Sequence, residues 1–158
     1  MLASSHRSIA LADEAATAAL ATALARQARA GDVVTLAGPL GAGKTSFARA
    51  FIAALGSRDE VPSPTFTLVQ TYETARGVVW HFDLYRLTSP DEARELGLEE
   101  ALIDGIVLVE WPDRLAALLP RERLDVVLAI GDTDDARRAT LHGSARWAAA
   151  LDAIRSDG

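Results

Sequence analysis

The sequence predicts an α/β fold with a mixed sheet: parallel strands at its centre, a β-hairpin at one side and helices around it. Three observations lead to this prediction. Short apolar runs rich in β-branched residues alternate with helical patterns. Two β-rich runs, 65–72 and 78–85, are separated by a short turn, as in a hairpin. The chain shows no internal repeat and no low-complexity linker, so residues 1–158 are expected to form one domain.

Helix signals occur along the whole chain. Asp13 can cap a first helix that runs to about Ala30, and Gly31 can end it. Ser89 begins a segment with proline at its first helical position and glutamate three residues after the cap, which is a helix start signature. This segment is predicted to be helical over 89–97. The remaining predicted helices are 46–55, 112–119 and 144–156.

Five apolar or alternating segments predict strands. The run 33–37 reads VVTLA and is apolar on both faces, as a buried strand is. The remaining predicted strands are 65–72, 78–85, 106–111 and 123–130. After a polar turn at 131–138, the segment 139–143 is predicted to pair back as an edge strand.

The composition excludes several classes of protein. The net charge of −6 and the pI of about 5.0 argue against a chain whose whole surface binds nucleic acid. No run of 18 apolar residues is present, so no membrane span is expected. The chain has no cysteine, which excludes disulfides, thiolate metal sites and a cysteine nucleophile. Without cysteine or a recognisable secretion signal, the expected location is the cytoplasm.

A complete phosphate-binding loop follows the strand 33–37 and opens a helix. Residues 38–45 read GPLGAGKT and match G-x-x-x-x-G-K-[ST] at every position. Gly41 and Gly43 allow backbone N–H groups to turn inward around phosphate oxygens. Lys44 can reach the β- and γ-phosphates, and the Thr45 hydroxyl can bind Mg²⁺. The sheet is therefore expected to be of the P-loop NTPase type.

Lys44 is the only lysine among 16 basic residues, and the chain has no asparagine. A compact ammonium on a flexible stem suits a phosphate loop better than a guanidinium does. A GTPase needs an N-K-x-D motif to bind guanine, and that motif cannot occur here. The position of the single lysine therefore favours nucleotide binding, and the absence of asparagine and of a second lysine excludes a GTPase.

Two predicted strands end in an acidic residue. The first ends at Asp83 and the second at Glu110. A P-loop protein needs an acid at the end of a neighbouring strand to hold its metal, and two acids could serve Mg²⁺ and an attacking water. Alternatively, either acid could cap a following helix or pair with a surface arginine.

The order of several motifs resembles the TsaE family, also called YjeE, from about Leu11 to Arg138. The segments that carry the resemblance are GPLGAGKTSFARAF, SPTFTLVQTYE, HFDLYRL, ELGLEE and LVEWPDRL. Members of this family are small bacterial P-loop ATPases of the tRNA threonylcarbamoyladenosine pathway. Two departures are visible: Pro39 replaces a usually acidic residue, and Ser46 replaces the second of two threonines.

The resemblance implies roles for individual residues. Thr45 and Glu110 would hold Mg²⁺, with Asp83 near the metal and the attacking water. Thr65, in a segment with Ser63 and Pro64, would respond to the γ-phosphate. The implied catalytic residues are Lys44, Asp83, Glu110 and Thr65. The implied nucleotide-binding residues are Glu14, Gly38, Leu40, Gly41, Ala42, Gly43, Lys44, Thr45, Ser46, Trp111 and Arg137, of which Glu14 would lie near the base.

The resemblance also implies partners. A TsaE-like protein would bind ATP and Mg²⁺, dock on the TsaB–TsaD heterodimer, meet tRNA only through that complex, and reset the complex by hydrolysis. Two alternatives remain: a nucleotide-gated binding module with negligible hydrolysis, and a small-molecule kinase. Arg121, Arg123, Arg137 and Arg138 could belong to a kinase lid, but no insertion of that size is visible.

Aromatic residues cluster on the predicted hairpin, and they could suggest base stacking. They are Phe66, Tyr72, Trp80, Phe82 and Tyr85. Because the segments 65–72 and 78–85 contain no lysine or arginine, core packing or a protein interface is the favoured interpretation.

Overall fold

The computed structural model describes residues 4–57 and 68–154. Within these ranges the strands form one seven-stranded sheet. They are β1 (Ser4–Leu11), β2 (Val33–Ala37), β3 (Val69–Thr74), β4 (Gly77–Asp83), β5 (Ile106–Glu110), β6 (Leu124–Ile130) and β7 (Arg137–Ser144). The spatial order is β1-β7-β6-β2-β5-β4-β3.

The centre of the sheet is parallel and its margins are antiparallel. Strands β6, β2, β5 and β4 pair in parallel with one another. β3 and β4 form the hairpin at one margin, and β7 and β1 pair antiparallel at the other. The predicted mixed α/β sheet with a hairpin at one side is confirmed. All four parallel strands direct their carboxyl ends to the same edge, where ligands bind in open α/β sheets.

Helices cover both faces of this sheet. The helices are α1 (Glu14–Ala25), α2 (Lys44–Ala54), α3 (Pro90–Glu95), α4 (Leu98–Asp104) and α5 (Ala148–Asp152), with 3₁₀ segments at Pro112–Leu118 and Ala145–Trp147. Val34 and Leu36 of β2 join a core with α1, α2 and α5, whereas Val33 joins a second core with α3 and α4. Two faces of one central strand are thus buried, which explains its uninterrupted apolar sequence. No helix in the described ranges has the length and apolar character needed to cross a bilayer.

The predicted pairing of 139–143 with the preceding strand is confirmed, but the prediction that this segment forms an edge of the sheet was wrong. Residues 139–143 were expected at an edge, but β7 lies inside the sheet between β1 and β6. The edge strand is β1, whose sequence SSHRSIAL carries three serines and gives little strand signal. Its pairing with β7, from Ser4↔Ser144 to Leu11↔Arg137, supplies the order that its own sequence does not indicate.

Helix lengths also differ from the prediction. The first helix ends at Ala25 instead of about Ala30, because the carbonyls of Arg26 and Ala28 accept hydrogen bonds from the Arg76 guanidinium. Asp32 accepts the backbone N–H of Arg29 at 2.8 Å, which closes the turn that follows. Helix α4 was not predicted, and the carboxyl-terminal helix is shorter than 144–156.

A partly buried polar cluster joins the central strand β2 to β6. The Thr35 hydroxyl, on a side chain that is 2% exposed, donates to Asp125 Oδ1 at 2.7 Å. Arg123 Nε donates to the same oxygen at 2.8 Å, and Arg123 Nη1 donates to the carbonyl of Pro120 at 2.6 Å. Because β2 leads directly into the phosphate loop, this cluster helps to fix the base of the loop.

Replacing Asp125 with alanine is expected to lower the free energy of unfolding by about 1–3 kcal/mol, because Thr35 keeps a buried donor without its acceptor. Urea denaturation of the wild-type and variant proteins measures the difference. The matched control is Glu122→Ala, which removes an exposed carboxylate just before β6 and should change stability by less than about 0.5 kcal/mol. Equal effects of the two variants would contradict the structural role of the cluster.

Candidate functional site

The glycine-rich segment 38–45 forms a loop between the end of β2 and the start of α2, as predicted. Gly38, Gly41 and Gly43 have φ values of 139°, 83° and 103°, which other residues rarely adopt. A Cβ on Gly38 would lie 2.2 Å from the carbonyl oxygen of Leu128 in β6. Only glycine therefore fits at the base of the loop. The first turn of α2 then presents its backbone N–H groups beside the loop, in an arrangement suited to an anion.

Lys44 is held within this loop. Its Nζ donates to the carbonyls of Gly38 at 2.5 Å and Pro39 at 3.1 Å, and it lies 4.3 Å from the ring centroid of Trp111. The residue is 5% exposed. Burial lowers the pKa of Lys44 below its usual value, although the carboxylates of Glu110 and Asp83 act in the opposite direction. Lys44 is thus a desolvated cation facing two anions.

The two strand-end acids lie side by side. Asp83 and Glu110 are register partners at the ends of the parallel strands β4 and β5, and they are 5% and 2% exposed. Glu110 Oε1 is 3.4 Å from the Thr45 hydroxyl, and Asp83 Oδ1 accepts the backbone N–H of Tyr85 at 3.2 Å. Asp83 thus binds the backbone of the turn that follows β4, whereas the next helix begins only at Pro90 with Ser89 as its cap.

One cavity of about 270 Å³ brings most of the predicted site together. Its lining consists of Leu40, Gly41, Gly43, Lys44, Thr45, Ser46, Asp83, Glu110 and Trp111. Trp111 follows Glu110 with a left-handed φ of 62°, which turns the chain at the end of β5. A lysine, a hydroxyl and two carboxylates therefore surround a single polar space.

A second cavity of about 150 Å³ shares three residues with the first: Gly41 and Gly43 of the loop and Ser46 of α2. Its lining consists of Glu14, Thr17, Gly41, Ala42, Gly43, Ser46, Asp135 and Arg137. Arg137 Nη2 donates to the carbonyl of Gly41 at 3.1 Å. Glu14 and Arg137 are far apart in sequence, yet both line this cavity beside the loop. Thr17 and Asp135 were not predicted, since neither belongs to a recognisable motif.

The oxygen atoms of Thr45, Glu110 and Asp83 are the hard ligands that Mg²⁺ accepts. Nowhere in residues 4–57 and 68–154 do three or more His, Cys, Asp or Glu side chains gather into a metal cage. A P-loop does not require such a cage, because Mg²⁺ in these sites keeps waters and binds substrate phosphates. The residues present therefore fit a shared protein–phosphate magnesium site.

His81 was missed, although it stands in the HFDLYR segment. It is fully buried, and its Nε2 lies 2.7 Å from Glu110 Oε2. The available signal was period-two spacing: His81 precedes Asp83 by two residues on one strand, so both lie on the same face.

The hairpin aromatics are divided between two environments. Tyr72 and Phe82 are buried in the cores, as favoured, while Trp80 is half-buried and packs against the second core. Tyr85 is 43% exposed and lies 4.9 Å from the ring centroid of Trp111, at the border of the cavity. Ser63, Pro64, Thr65 and Phe66 lie outside the described residues, so their predicted roles stay predictions.

We expect the Lys44 amine to titrate below 10.5, because burial disfavours its charged form. Reductive methylation with ¹³C-formaldehyde labels this single lysine and the amino terminus, and NMR then follows the lysine resonance with pH. A midpoint at or above that of the same labelled lysine in the urea-unfolded chain would contradict the burial of the ammonium.

The same shift has a consequence for stability. Between the folded-state pKa of Lys44 and 10.5, the unfolded chain retains a proton that the folded chain has released. The free energy of unfolding therefore rises with pH across this window. In Lys44→Met this contribution is absent, so urea denaturation should show a smaller rise with pH.

Comparison with known proteins identifies relatives across most of the chain. The family described as "Threonylcarbamoyl adenosine biosynthesis protein TsaE" matches residues 11–139. The tRNA threonylcarbamoyladenosine biosynthesis protein TsaE of Rickettsia felis is 44% identical over 123 residues, which cover 77% of this chain and 72% of the relative. The protein of the same name from Bacillus subtilis is 42% identical over 120 residues, which cover 75% of each chain.

The fold comparison agrees with the sequence comparison. The crystal structure of Bacillus subtilis YdiB superposes with a TM-score of 0.75 at 32% identity, covering 97% of this chain and 94% of that one. The matched range 11–139 also agrees with the range of the motif resemblance, Leu11 to Arg138. The phosphate loop, the strand-end acids and the mixed sheet all lie within it, and the chain belongs to the TsaE family of tRNA threonylcarbamoyladenosine biosynthesis proteins.

Proposed function

We propose that this protein binds ATP with Mg²⁺ and hydrolyses it as the ATPase component of the tRNA threonylcarbamoyladenosine machinery, acting with TsaB and TsaD. The observation that supports this most strongly is the cavity shared by Lys44, Thr45, Asp83 and Glu110. A cation, a metal-binding hydroxyl and two carboxylates are what transfer of a phosphoryl group to water requires.

The phosphate loop would hold the β- and γ-phosphates. Lys44 makes its hydrogen bonds to the loop carbonyls of Gly38 and Pro39, and arriving phosphate oxygens would be stronger, charged acceptors for the same ammonium. Because burial disfavours the charged form of Lys44, a new anionic partner would stabilise that form. We therefore expect nucleotide binding to raise the pKa of Lys44 toward its usual value.

Thr45 and Glu110 would hold Mg²⁺, which when bound would offset charge on the phosphate oxygens. Asp83 lies next to Glu110 and lines the same cavity, so its carboxylate could accept a hydrogen bond from the attacking water. Glu110 would thus orient the metal, and Asp83 would orient the attacking water. Thr65 stays the expected sensor of the γ-phosphate.

The second cavity supports adenosine as the group attached to the phosphates. Glu14, Thr17 and Asp135 supply oxygen acceptors there, and Arg137 supplies donors. The guanine-binding N-K-x-D motif is absent from the sequence. These side chains are suited to ribose hydroxyls and to the amino group of adenine.

The role of TsaB and TsaD in this proposal depends on the family resemblance. The border of the phosphate cavity carries two exposed hydrophobic residues, Leu40 at 68% and Tyr85 at 43%. Such residues beside a nucleotide are suited to a partner that detects whether ATP is present. Because the chain carries a net charge of −6, contact with tRNA is expected through the partners.

Nucleotide binding should change the fluorescence of Trp111, since its ring lies against Lys44 and lines the phosphate cavity. Titration of the protein with ATP and Mg²⁺ measures the change. The signal should vanish in Trp111→Phe and persist in Trp80→Phe, which alters a tryptophan on the second core. A nucleotide signal that survives in Trp111→Phe would place the binding site elsewhere.

Hydrolysis should fall by about 10²–10³-fold in Lys44→Ala and in Glu110→Ala, because Lys44 would offset charge on the transferring phosphoryl group and Glu110 would hold the Mg²⁺ that does the same. Phosphate release is measured with and without TsaB and TsaD. The control Ile103→Ala changes a residue of α4 that is 77% exposed and should retain full activity.

The outcomes of this assay separate the candidate functions. Full partner-dependent hydrolysis in Lys44→Ala or in Glu110→Ala would refute the mechanism. Nucleotide-dependent capture of TsaB and TsaD without single-turnover hydrolysis would support a binding module instead. Transfer of phosphate to an added metabolite would support a kinase.

A further inference from the structure

The two carboxylate oxygens of Glu110 have different partners. Oε2 lies 2.7 Å from His81 Nε2, whereas Oε1 lies 3.4 Å from the Thr45 hydroxyl at the phosphate cavity. The first contact is short and wholly buried, since the His81 side chain is 0% and the Glu110 side chain 3% exposed. The second contact is long and faces the polar space. The carboxylate is therefore fixed from its inner side and open on its outer side.

Glu110 has a physical need for this inner contact. It is 2% exposed and directly opposite Asp83 in the parallel register of β4 and β5. A buried carboxylate loses its hydration, and a like charge directly opposite adds repulsion. Among the described residues, the hydrogen bond to His81 is the one short side-chain hydrogen bond that the Glu110 carboxylate makes. His81 thus supplies the donor that keeps this carboxylate in place.

The hydrogen bond also specifies where the imidazole carries its proton. An ionised carboxylate can only accept, so Nε2 must be the donor. His81 Nδ1 is buried and has no hydrogen-bond partner among the described residues. A proton on Nδ1 would leave a buried donor unpaired, whereas a bare Nδ1 leaves only an acceptor. The surroundings therefore favour the Nε2–H tautomer.

The strand geometry explains why this residue is in reach. His81 pairs with Leu108 and Asp83 pairs with Glu110 across the same two parallel strands. Since residues two apart share a face, His81 lies one step behind Asp83, toward the interior of the sheet. Asp83 therefore lies beside Glu110 at the strand end, and His81 contacts Glu110 from the interior side.

We propose that His81 is a positioning residue for the proposed magnesium site: it binds Glu110 Oε2 and thereby leaves Oε1 directed at Thr45 and the metal. This inference rests on the proposed function, because it assigns a task to a group beside the expected Mg²⁺. Groups that orient a metal ligand in this way typically contribute 10–100-fold to metal affinity.

The first test uses His81→Leu and His81→Gln. Leucine removes the donor, while the glutamine amide places an N–H near the position of Nε2. The readout is Trp111 fluorescence during titration with a non-hydrolysable ATP analogue, in EDTA and at increasing Mg²⁺. His81→Leu should need about 10–100-fold more Mg²⁺ for half of the metal-dependent gain in affinity, with affinity in EDTA unchanged. His81→Gln should stay within about threefold of the wild type.

The controls separate this idea from a general loss of structure. His142→Leu makes the same replacement at an exposed histidine of β7 and should leave the magnesium dependence unchanged. A merely structural role of His81 would weaken binding in EDTA and in Mg²⁺ alike, and this result would overturn the inference. If binding of the analogue to the wild-type protein does not depend on Mg²⁺, the proposed function fails. If it does depend on Mg²⁺ and His81→Leu shows the same dependence as the wild type, only the inference about His81 fails.

The second test needs no nucleotide and remains available if His81→Leu does not fold. The chain has three histidines, His6, His81 and His142, so long-range ¹H–¹⁵N spectra are simple to assign. We expect His81 to carry a slowly exchanging proton on Nε2, identified by its loss in His81→Gln. Exchange of this proton should accelerate in Glu110→Ala. A His81 ring protonated only at Nδ1 would overturn the proposal.

Discussion

Three buried charged side chains line one cavity, and much of the surrounding structure serves to keep them there. Lys44, Asp83 and Glu110 are each 5% exposed or less, so each would be costly to bury alone. Together they offset one another, as the opposing influences on the pKa of Lys44 indicate. The parallel alignment of β2, β5 and β4 makes this possible, because it brings the loop and both acids to one edge of the sheet.

The sequence allowed the centre of the fold and of the site to be predicted, for a physical reason. Buried parallel strands are apolar on both faces, and a phosphate loop needs glycines and a lysine at fixed spacing. Strand 33–37, the loop 38–45 and the acids Asp83 and Glu110 are therefore visible without a structure. Each depends on interactions within a short stretch of chain.

What escaped prediction depends on partners distant in sequence. The serine-rich strand β1 is ordered by its register with β7, more than 120 residues later in the chain. Helix α1 ends where Arg76 of the hairpin takes two of the carbonyls that follow it. His81 looks like one more polar residue until β5 places Glu110 beside it. In each case the local pattern is weak, and the tertiary contact determines the structure.

The register of β1 with β7 has a consequence for the order in which the site forms during synthesis. Leu11↔Arg137 is its last pair; Glu14 lies three residues after one member, and Arg137 is the other. The second cavity is therefore built from the two extremes of the family region, whereas the loop 38–45 lies between β2 and α2, which are close together in sequence. A growing chain on the ribosome would carry the complete loop sequence well before Asp135 and Arg137 emerge. The second cavity can therefore be completed only after β7 has been synthesised.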